Sequence, residues 1–402
     1  MDWIKQILLH SEKQKVCCLL TSNNFEDVYG EFEWIYGVGE KRVFLTPKEL
    51  EGFKGWALGH ISYNYANNEF KSLHSVNIDY SRWDDFNFFE PLKIIWLKRG
   101  ESRIQGDISL IKELEEFPEN ESFEQSITCE LINEISTDQR KYLATVELIK
   151  DKIESGVFYE MNYCIEHSYS GDVTNLAGLF YSLNKSAPSP FASYYKRNDS
   201  VLMCASPERF LRKIKNTLIS QPIKGTLKRS GINDLEERAL LKNNSKDRAE
   251  NIMIVDLVRN DLSKVSKVGS VSVKELCEIY TFSHVHQMIS TIESIIKASA
   301  NIEEVIDAMF PMGSMTGAPK IEVMKYVQQL EDFNRGLYSG SVGYFYNGEF
   351  DLNVVIRSLE YSKAEKKLRN AVGGAITYDS IPINEWDECL SKSAAIRKIL
   401  KP

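Results

Sequence analysis

Short stretches of apolar, β-branched and aromatic residues recur along the chain, and turn residues separate them. These stretches predict strands at residues 34–38, 56–65, 92–97, 191–195, 201–205, 210–214 and 218–223. The last four follow one another closely, which predicts a meander. Residues 341–346 and 350–359 flank Asn347-Gly348, a dipeptide typical of tight hairpins, and residues 367–372 predict a third strand beside them.

Apolar residues at helical spacing predict three helices. Before the first, Ser136 and Gln139 have the S-x-x-Q spacing of a capping box. The apolar stripe of that helix consists of Tyr142, Val146, Ile149 and Ile153. The second helix is predicted at about 246–262, and the third begins at about Asn384. Strands and helices that mix without regular alternation favour an α+β fold over a doubly wound parallel sheet.

One segment between these elements is typical of a solvated loop. Residues 115–126 read EEFPENESFEQS, with five glutamates, one proline and no basic residue. We therefore predict a boundary here, between an N-terminal region at residues 1–125 and a larger region at residues 126–402.

Composition narrows the class of protein. The 402 residues are 43% hydrophobic and 26% charged, which is globular composition, and no run of about eighteen apolar residues predicts a membrane span. We expect a cytoplasmic protein that does not bind membranes. A net charge of −8 disfavours general nucleic-acid binding, and an anionic ligand would need a locally positive pocket or a metal ion. The seven scattered cysteines predict reduced thiols, most of them packed in the core.

Two predicted helices carry pairs of acidic residues that could hold a metal ion. Asp247 and Glu250 lie three residues apart on one helix, and Glu385 and Glu388 repeat that spacing on the last helix. Four carboxylates on inward faces would suit Mg²⁺, which prefers oxygen ligands and keeps several waters. Salt bridges to surface lysines explain the same spacing equally well, so the pattern alone leaves both interpretations open.

Four other features could carry chemistry. The segment 310–320, FPMGSMTGAPK, leads through two glycines and Pro319 toward a predicted helix, so its amides could cradle an anion or form a structural turn. Gly373-Gly374 follows a strand, where the two glycines could allow a ligand to approach the backbone closely or could form a bulge. Lys224 precedes Gly225, and Glu208 lies at a corner between strands. By itself, each of these two residues is compatible with an ordinary surface role.

Taken together, eight motifs resemble those of the chorismate-binding enzymes, which include anthranilate, aminodeoxychorismate, isochorismate and salicylate synthases. They are SPERFL (206–211), QPIKGT (221–226), DRAENIMIVDLVRNDL (247–262), FPMGSMTGAPK (310–320), SGSVGYF (339–345), VIRSL (355–359), GGAI (373–376) and EWDE (385–388). WALGHISYNY at 56–65 also resembles an N-terminal motif of the family. The resemblance implies an α+β fold of two large face-to-face β-sheets flanked by helices, with the active site in the cleft between them.

The resemblance also implies roles for individual residues. It implies that Mg²⁺ binds Glu250 and Glu388, with Asp247 and Glu385 in support, and that the metal holds the ring carboxylate of chorismate. The groups implied to bind the other carboxylate are Arg357, Tyr344, Gly373 and Gly374. Ser314 and Thr316 would add hydrogen bonds, and Glu208 would act as the general acid.

Lys224 separates the members of the family. At this motif, anthranilate and isochorismate synthases have a sequence similar to PIAGT, whereas many aminodeoxychorismate synthases have PIKGT, as this chain does. The resemblance therefore implies that Lys224 is a nucleophile that adds at ring carbon 2, after which ammonia adds at carbon 4 to give 4-amino-4-deoxychorismate for p-aminobenzoate and folate. Such an amine must be neutral, so we expect a lowered pKa. The alternatives are component I of anthranilate synthase and a non-catalytic chorismate-binding subunit.

Two positions depart from the family pattern. A histidine expected before a Leu appears one place early, as His286 in VHQM, and we assign it a catalytic role only by this resemblance. Glu160 in FYEMNYC stands where amine-adding relatives usually have Gln and water-adding relatives have Lys. We expect Glu160 either to be screened by another group or to help bind and deprotonate ammonia, and Glu160→Gln to retain amination.

The reaction implied by the resemblance needs a source of ammonia. A glutaminase of about two hundred residues would not fit in 402 residues beside a core of this size. We therefore expect a separate glutamine amidotransferase subunit as partner, besides the substrates chorismate and ammonia.

Overall fold

A computed structural model describes residues 2–66, 77, 79, 82–117, 123, 132–282 and 285–400. The predicted boundary at residues 125 and 126 and the predicted core residue Cys129 lie outside the described residues. The other six cysteines are free and buried, which confirms their prediction as core residues. Within the described part of the chain, no helix is long and apolar enough to span a membrane.

The described helices, α1 to α9 in chain order, are Trp3–Glu12, Ile108–Glu115, Gln139–Glu154, Leu176–Ser186, Asp234–Lys242, Ser245–Val265, Ile302–Met309, Lys320–Leu330 and Pro382–Ile399. The described strands, β1 to β21, are Val16–Thr21, Phe32–Val38, Arg42–Phe44, Trp56–Ile61, Phe86–Glu90, Lys93–Lys98, Gln105–Gly106, Ile132–Ile135, Glu160–Ser170, Phe191–Arg197, Ser200–Ser206, Arg209–Ile214, Thr217–Gln221, Ile223–Lys228, Ser272–Thr281, Val285–Ile295, Gly317–Ala318, Ser341–Tyr346, Glu349–Asn353, Ser358–Ser362 and Lys367–Ile376.

The strands form two large antiparallel sheets. The first has the order β17-β9-β21-β20-β11-β10-β1-β2-β6-β7, with β8 also on β9. The second has the order β14-β16-β13-β12-β19-β18-β4-β5-β3, with β15 also on β16. β1 and β2 lie beside β10, and β4 lies beside β18, so strands before residue 125 share both sheets with strands after it.

The two sheets pack face to face. A buried cluster between them joins Ile35 and Leu202 of the first sheet to Leu58 and Val342 of the second. Helices cover the outer faces: α5, α6 and α7 pack on the second sheet, and α1, α3, α4, α8 and α9 pack on the first. Burial of apolar area at the three interfaces between these four layers supplies the main stabilisation, at about 25 cal/mol per Å². The predicted α+β fold of two face-to-face sheets is confirmed.

Two predicted strand groupings were wrong in an informative way. The predicted meander at 191–223 divides, because β10 and β11 belong to the first sheet whereas β12 and β13 belong to the second. The predicted strand at 350–359 also divides, since β19 ends at Asn353 in the second sheet and β20 begins at Ser358 in the first. The chain therefore crosses between the sheets at residues 207–208 and again at residues 354–357.

The start of α3 also differs from the prediction. Asp138, not Ser136, caps the helix, because its carboxylate accepts a hydrogen bond from the backbone N–H of Lys141. The Ser136 hydroxyl instead accepts from the backbone N–H of Glu166, at 2.9 Å. The helix nevertheless buries its predicted stripe at Tyr142, Val146 and Ile149 against β9 and β21.

Candidate active site

The two chain segments that cross between the sheets lie side by side, and they carry Glu208 and Arg357. The backbone N–H of Val354 donates to the carbonyl of Glu208 at 3.0 Å, and that of Ala205 donates to the carbonyl of Arg357 at 3.1 Å. Arg357 has a φ of +55°, a conformation that costs energy in a non-glycine residue and is often found at functional sites. Its guanidinium donates to the carbonyl of Lys392 on α9, at 3.1 Å.

A cleft with about 770 Å³ of empty volume opens beside these crossings. Residues from both sheets and from α9 line it, among them Pro207, Thr226, Gln287, Arg357 and Lys392. Pro207 adjoins Glu208 in the chain, and Thr226 lies two residues after Lys224. The cleft therefore collects residues of three predicted family motifs, SPERFL, QPIKGT and VIRSL, at one place.

Lys224 is buried on β14 and makes an ion pair with Glu160. Its Nζ lies 2.7 Å from Glu160 Oε1, and the side chains are 10% and 1% exposed. Burial lowers the pKa of Lys224, but the charges of Glu160, Glu250 and Glu208 outweigh it and raise the pKa above its ordinary value. The expected lowering of the pKa is therefore absent from this arrangement, because three carboxylates surround one ammonium group.

Glu208 has the environment of a general acid. It is buried, and its carboxylate accepts a hydrogen bond from the Ser314 hydroxyl at 2.7 Å. Burial raises its pKa to about 7, although the Ser314 hydrogen bond and the charge of Lys224 act in the opposite direction. A carboxyl group with such a pKa is partly protonated near neutral pH and can give a proton to a leaving hydroxyl.

We expect the reaction with chorismate to slow as pH rises through about 7, because the acid form of Glu208 is lost there. Single-turnover rates measured as a function of pH test this expectation. Glu208→Gln should lower the rate by about 10²-fold or more and remove this pH limb. Ser314→Ala, which takes away the hydrogen bond that lowers the pKa, should move the limb to higher pH. A Glu208→Gln variant with the wild-type pH profile would exclude Glu208 as the acid.

The two predicted carboxylate pairs face each other across α6 and α9. Lys246 bridges them, with its Nζ 3.0 Å from Glu385 Oε1 and 3.9 Å from Glu250 Oε1. Glu388 is 48% exposed and pairs with Lys392 at 2.6 Å. Among the described residues, no three of the four predicted ligands have ligand atoms within 4.8 Å of one another. Lysines thus occupy the positions between the acids, and both original interpretations of the pairs have support.

The oxygen atoms at this place nevertheless suit a divalent cation. Glu250 Oε1 is buried and has no hydrogen-bond partner among the described residues, which is costly for a carboxylate. Burial raises the pKa of Glu250 to about 7. The backbone at Gly374 leaves room opposite it, since a Cβ there would lie 3.5 Å from Glu385 Oε2 and 3.7 Å from Glu388 Oε1. An all-oxygen donor set beside an open backbone is the kind that Mg²⁺ uses.

Asp247, Gly373 and Ser314 also lie around the cleft. Asp247 packs against Gly225, where a Cβ would lie 3.0 Å from its carboxyl carbon. Gly373 is paired with Cys164 on β9, and any Cβ would overlap the Cys164 sulfur, so only glycine fits. Lys392 Nζ donates to the carbonyl of Gly373 at 2.6 Å. Ser314 is the predicted loop residue that contacts the site, because its hydroxyl donates a hydrogen bond to Glu208.

Three predicted site residues are not brought to the cleft. The Tyr344 hydroxyl accepts from Arg212 at 3.0 Å, and its ring packs against Trp56 in the core between the sheets. The Thr316 hydroxyl donates to the carbonyl of Met312 within its own loop. Neighbouring residues on β18 point to opposite sides of the sheet, and the Tyr344 side chain is on the side away from the cleft. The Thr316 hydroxyl is hydrogen-bonded within its own turn.

His286 is the third. It is buried under α5, where its Nε2 lies 3.3 Å from Glu237 Oε2 and 3.6 Å from Asp234 Oδ1. The Arg229 guanidinium donates two hydrogen bonds to the Asp234 carboxylate. This group is an ion-pair network in which Arg229 already supplies the positive charge. Gln287, the next residue on β16, faces the cleft instead.

One residue that lines the cleft was missed by sequence reasoning. Gln287 lines the cleft, and its Oε1 is buried without a partner among the described residues. The early position of the histidine in VHQM was a signal for Gln287, because a shift of one residue along a strand reverses the side that a residue faces.

Comparison with known proteins agrees with the site. The family model described as chorismate binding enzyme matches residues 27–398. Aminodeoxychorismate synthase component 1 of Bacillus subtilis is 33% identical over 89% of this chain and 79% of that protein. Anthranilate synthase component 1 of Saccharolobus solfataricus is 32% identical over 86% and 80% of the two chains. The chain spans 28% to 37% of several longer aminodeoxychorismate synthases that it matches.

The fold has the same relatives. The crystal structure of anthranilate synthase component I from Streptococcus pneumoniae superimposes with a TM-score of 0.78 at 22% identity, covering 94% of each chain. At that identity the likeness concerns the fold. The match of the family model to most of the chain, together with the cleft formed by its motifs, shows that this chain belongs to the chorismate-binding enzymes.

Proposed function

We propose that this protein is component I of an aminodeoxychorismate synthase, which converts chorismate and ammonia to 4-amino-4-deoxychorismate for p-aminobenzoate and folate synthesis. The observation that carries the proposal is a buried lysine, Lys224, beside a buried carboxyl group, Glu208, whose pKa is about 7. The identity to the Bacillus subtilis protein supports it.

The chemistry divides into two displacements. Lys224 first gives its ammonium proton to the carboxylate form of Glu208. The neutral amine then bonds to ring carbon 2 while the bond between carbon 4 and its hydroxyl breaks, and Glu208 gives the proton with which the hydroxyl leaves as water. Ammonia then bonds to carbon 4, and the bond between carbon 2 and Lys224 breaks. Arg357, with its planar fork beside the cleft, is suited to bind a carboxylate of the substrate. Each step uses a charge or a proton donor that stands beside the cleft.

Glu250 and Glu388 would hold Mg²⁺, with Glu385 and Asp247 in support. When bound, the ion supplies positive charge for a carboxylate of chorismate. Lys246 and Lys392 have long, partly exposed side chains that can leave the acids when the ion and substrate enter. These two lysines would then lie beside the substrate, and Lys392 already lines the cleft.

A second candidate is component I of anthranilate synthase, since the Saccharolobus relative is nearly as similar. That reaction adds ammonia at carbon 2 and eliminates pyruvate, and it has no use for a lysine nucleophile. A non-catalytic chorismate-binding subunit would have no need to bury Lys224 beside Glu208, because burying charged groups costs free energy. Lys224 therefore favours the first candidate.

The product of the reaction decides among these functions. We expect the protein, chorismate, Mg²⁺ and an ammonium salt at alkaline pH to give 4-amino-4-deoxychorismate, identified by mass and by its conversion to p-aminobenzoate with a downstream lyase. Anthranilate and pyruvate as products would assign the second candidate. Chorismate binding without turnover would assign the non-catalytic subunit.

We also propose that a separate glutamine amidotransferase supplies the ammonia. Glutamine should replace the ammonium salt only after such a subunit is added, because this chain's site receives ammonia and has no assigned group that cleaves an amide. Glutamine-dependent product from this chain alone would contradict a two-component enzyme.

A further inference from the structure

The two oxygens of the Glu160 carboxylate have different surroundings. Oε1 accepts a hydrogen bond from Lys224 Nζ at 2.7 Å, whereas Oε2 is buried and has no hydrogen-bond partner among the described residues. The residue itself is fully buried. A carboxylate oxygen in this position costs free energy unless a donor is supplied, so it is an acceptor prepared for a ligand.

The backbone holds Glu160 in place. It is the first residue of β9 and pairs with Ala318 of β17, and the N–H of Tyr159 donates to the carbonyl of Ala318 at 2.7 Å. Gly317 packs so closely on the carbonyl of Glu160 that no side chain fits there. The carboxylate is therefore fixed by a strand pair, which makes it a precise binding group.

The charge around Lys224 leaves room for another cation. Glu160, Glu208 and Glu250 all act electrostatically on its ammonium group. Lys246 adds one more positive charge, 3.9 Å from Glu250 Oε1 and 3.0 Å from Glu385 Oε1, so two ammonium groups face four carboxylates and no described group donates to Glu160 Oε2. A small cation with N–H donors would satisfy the free oxygen and reduce this imbalance.

We propose that Glu160 binds the substrate ammonium ion through Oε2 and carries a proton from it to the nitrogen of Lys224. The inference rests on the proposed function and assigns the group that receives ammonia in that reaction. The same carboxylate touches the lysine and has one oxygen without a hydrogen bond among the described residues, so one side chain can accept the proton on one oxygen and deliver it on the other.

The proton balance of the second displacement follows from this placement. Ammonium gives one proton to Glu160 and becomes ammonia, which is the nucleophile. The nitrogen of Lys224 that is bonded to carbon 2 is already a secondary ammonium group, so it leaves without a further proton. Ammonia bonds to carbon 4, the double bond shifts, and the bond between carbon 2 and nitrogen breaks with its electrons passing to Lys224. The lysine leaves as a neutral amine and the product keeps an ammonium group. Glu160 then gives its proton to the freed amine, which restores the ammonium form of Lys224.

Glu160→Gln tests the proposal, because it keeps the size of the side chain and the contact with Lys224 but removes the acceptor that can be protonated. We expect kcat/KM for ammonium to fall about 10²-fold or more, the usual contribution of a general base. The adduct on Lys224 should accumulate and appear by intact mass as chorismate less water. The half-saturating concentration of Mg²⁺ should remain at the wild-type value.

Glu166→Gln is the matched control. Glu166 lies on the same strand and is also buried in an ion pair, with Arg369 at 2.6 Å, but it has no contact with Lys224 among the described bonds. It should keep wild-type kinetics with ammonium. Thermal unfolding of both variants compares their stability, and Glu160→Asp, which keeps the carboxylate, should recover part of the activity if Glu160→Gln folds poorly.

Hydroxylamine separates proton transfer from simple damage to the site. It is neutral at about pH 8 and needs no base, so Glu160→Gln should use it within about tenfold of the wild type. Equal losses with ammonium and hydroxylamine would overturn the proposal, and so would wild-type kinetics with ammonium. A changed Mg²⁺ requirement with unchanged ammonium kinetics would make Glu160 a metal ligand instead. If the wild type forms no 4-amino product, the proposed function fails as well; if it does, only the role of Glu160 is at stake.

Discussion

Replacing Lys224 with alanine should lower the amination of chorismate by about 10³-fold or more, because the reaction then loses its nucleophile and both displacements. Chorismate binding should change little, since Arg357 and the acidic helices remain. The adduct seen by intact mass in the wild type should be absent. Rapid-quench assays of product and a binding titration measure the two effects separately.

Lys228→Ala provides the control for this experiment. Lys228 is the last residue of β14, four residues after Lys224, and its side chain is exposed. Its removal should leave the rate within about twofold, as for most surface substitutions. A Lys224→Ala variant that aminates chorismate at the wild-type rate would exclude the covalent mechanism.

Replacing Glu250 with glutamine should weaken Mg²⁺ binding by about 100-fold or more, because even groups that only support a metal ligand contribute up to that factor. EDTA should abolish the activity of the wild type, and Mg²⁺ should restore it. Titration calorimetry with Mg²⁺ measures binding without reference to turnover. Glu388→Ala should show a loss of similar size.

The same substitution should have the opposite effect on the metal-free protein. Burial raises the pKa of Glu250 to about 7, and its Oε1 has no hydrogen bond among the described residues, only Lys246 at 3.9 Å, so the neutral amide should raise the free energy of unfolding by about 1–3 kcal/mol. Glu322→Gln, on the partly exposed face of α8, should alter neither quantity. Unchanged Mg²⁺ affinity in Glu250→Gln would show that the acid pairs serve only the ion pairs with Lys246 and Lys392.

Much of the site could be predicted because its residues lie in local motifs. Lys224, Glu208, Arg357 and Glu250 each stand in a short segment that resembles one family. Arg357 lines the cleft, and Glu208 and Glu250 lie close enough to Lys224 to act on its charge. Their chemical types follow from the chain itself. The reaction that these residues can carry out together depends on the distances between their side chains, and no single motif contains those distances.

Register explains why His286 lies away from the cleft whereas Gln287, the next residue on β16, lines it. Successive residues on a strand face opposite sides, so an error of one place selects the wrong side.

Glu160 shows best how the structure changes an interpretation. From the sequence, Glu160 was expected either to be screened by another group or to help bind and deprotonate ammonia, and Glu160→Gln was predicted to retain amination. In the structure the carboxylate is buried, holds Lys224 at 2.7 Å and keeps one oxygen unpaired. Burying a carboxylate with only one of its oxygens hydrogen-bonded costs free energy, which indicates that Glu160 has a role. We therefore now expect Glu160→Gln to lose most of its amination activity.

The sequence by itself determined the layers, the helices, the family and the residue types of the chemistry, because periodicity and local motifs act over a few neighbouring positions. Only the tertiary structure decided that the chain crosses between the sheets at Glu208 and Arg357, which joins residues almost 150 positions apart. It also decided which charges meet at Lys224. Burial and electrostatic pairing depend on every element packed around a group, and a single segment does not contain that information.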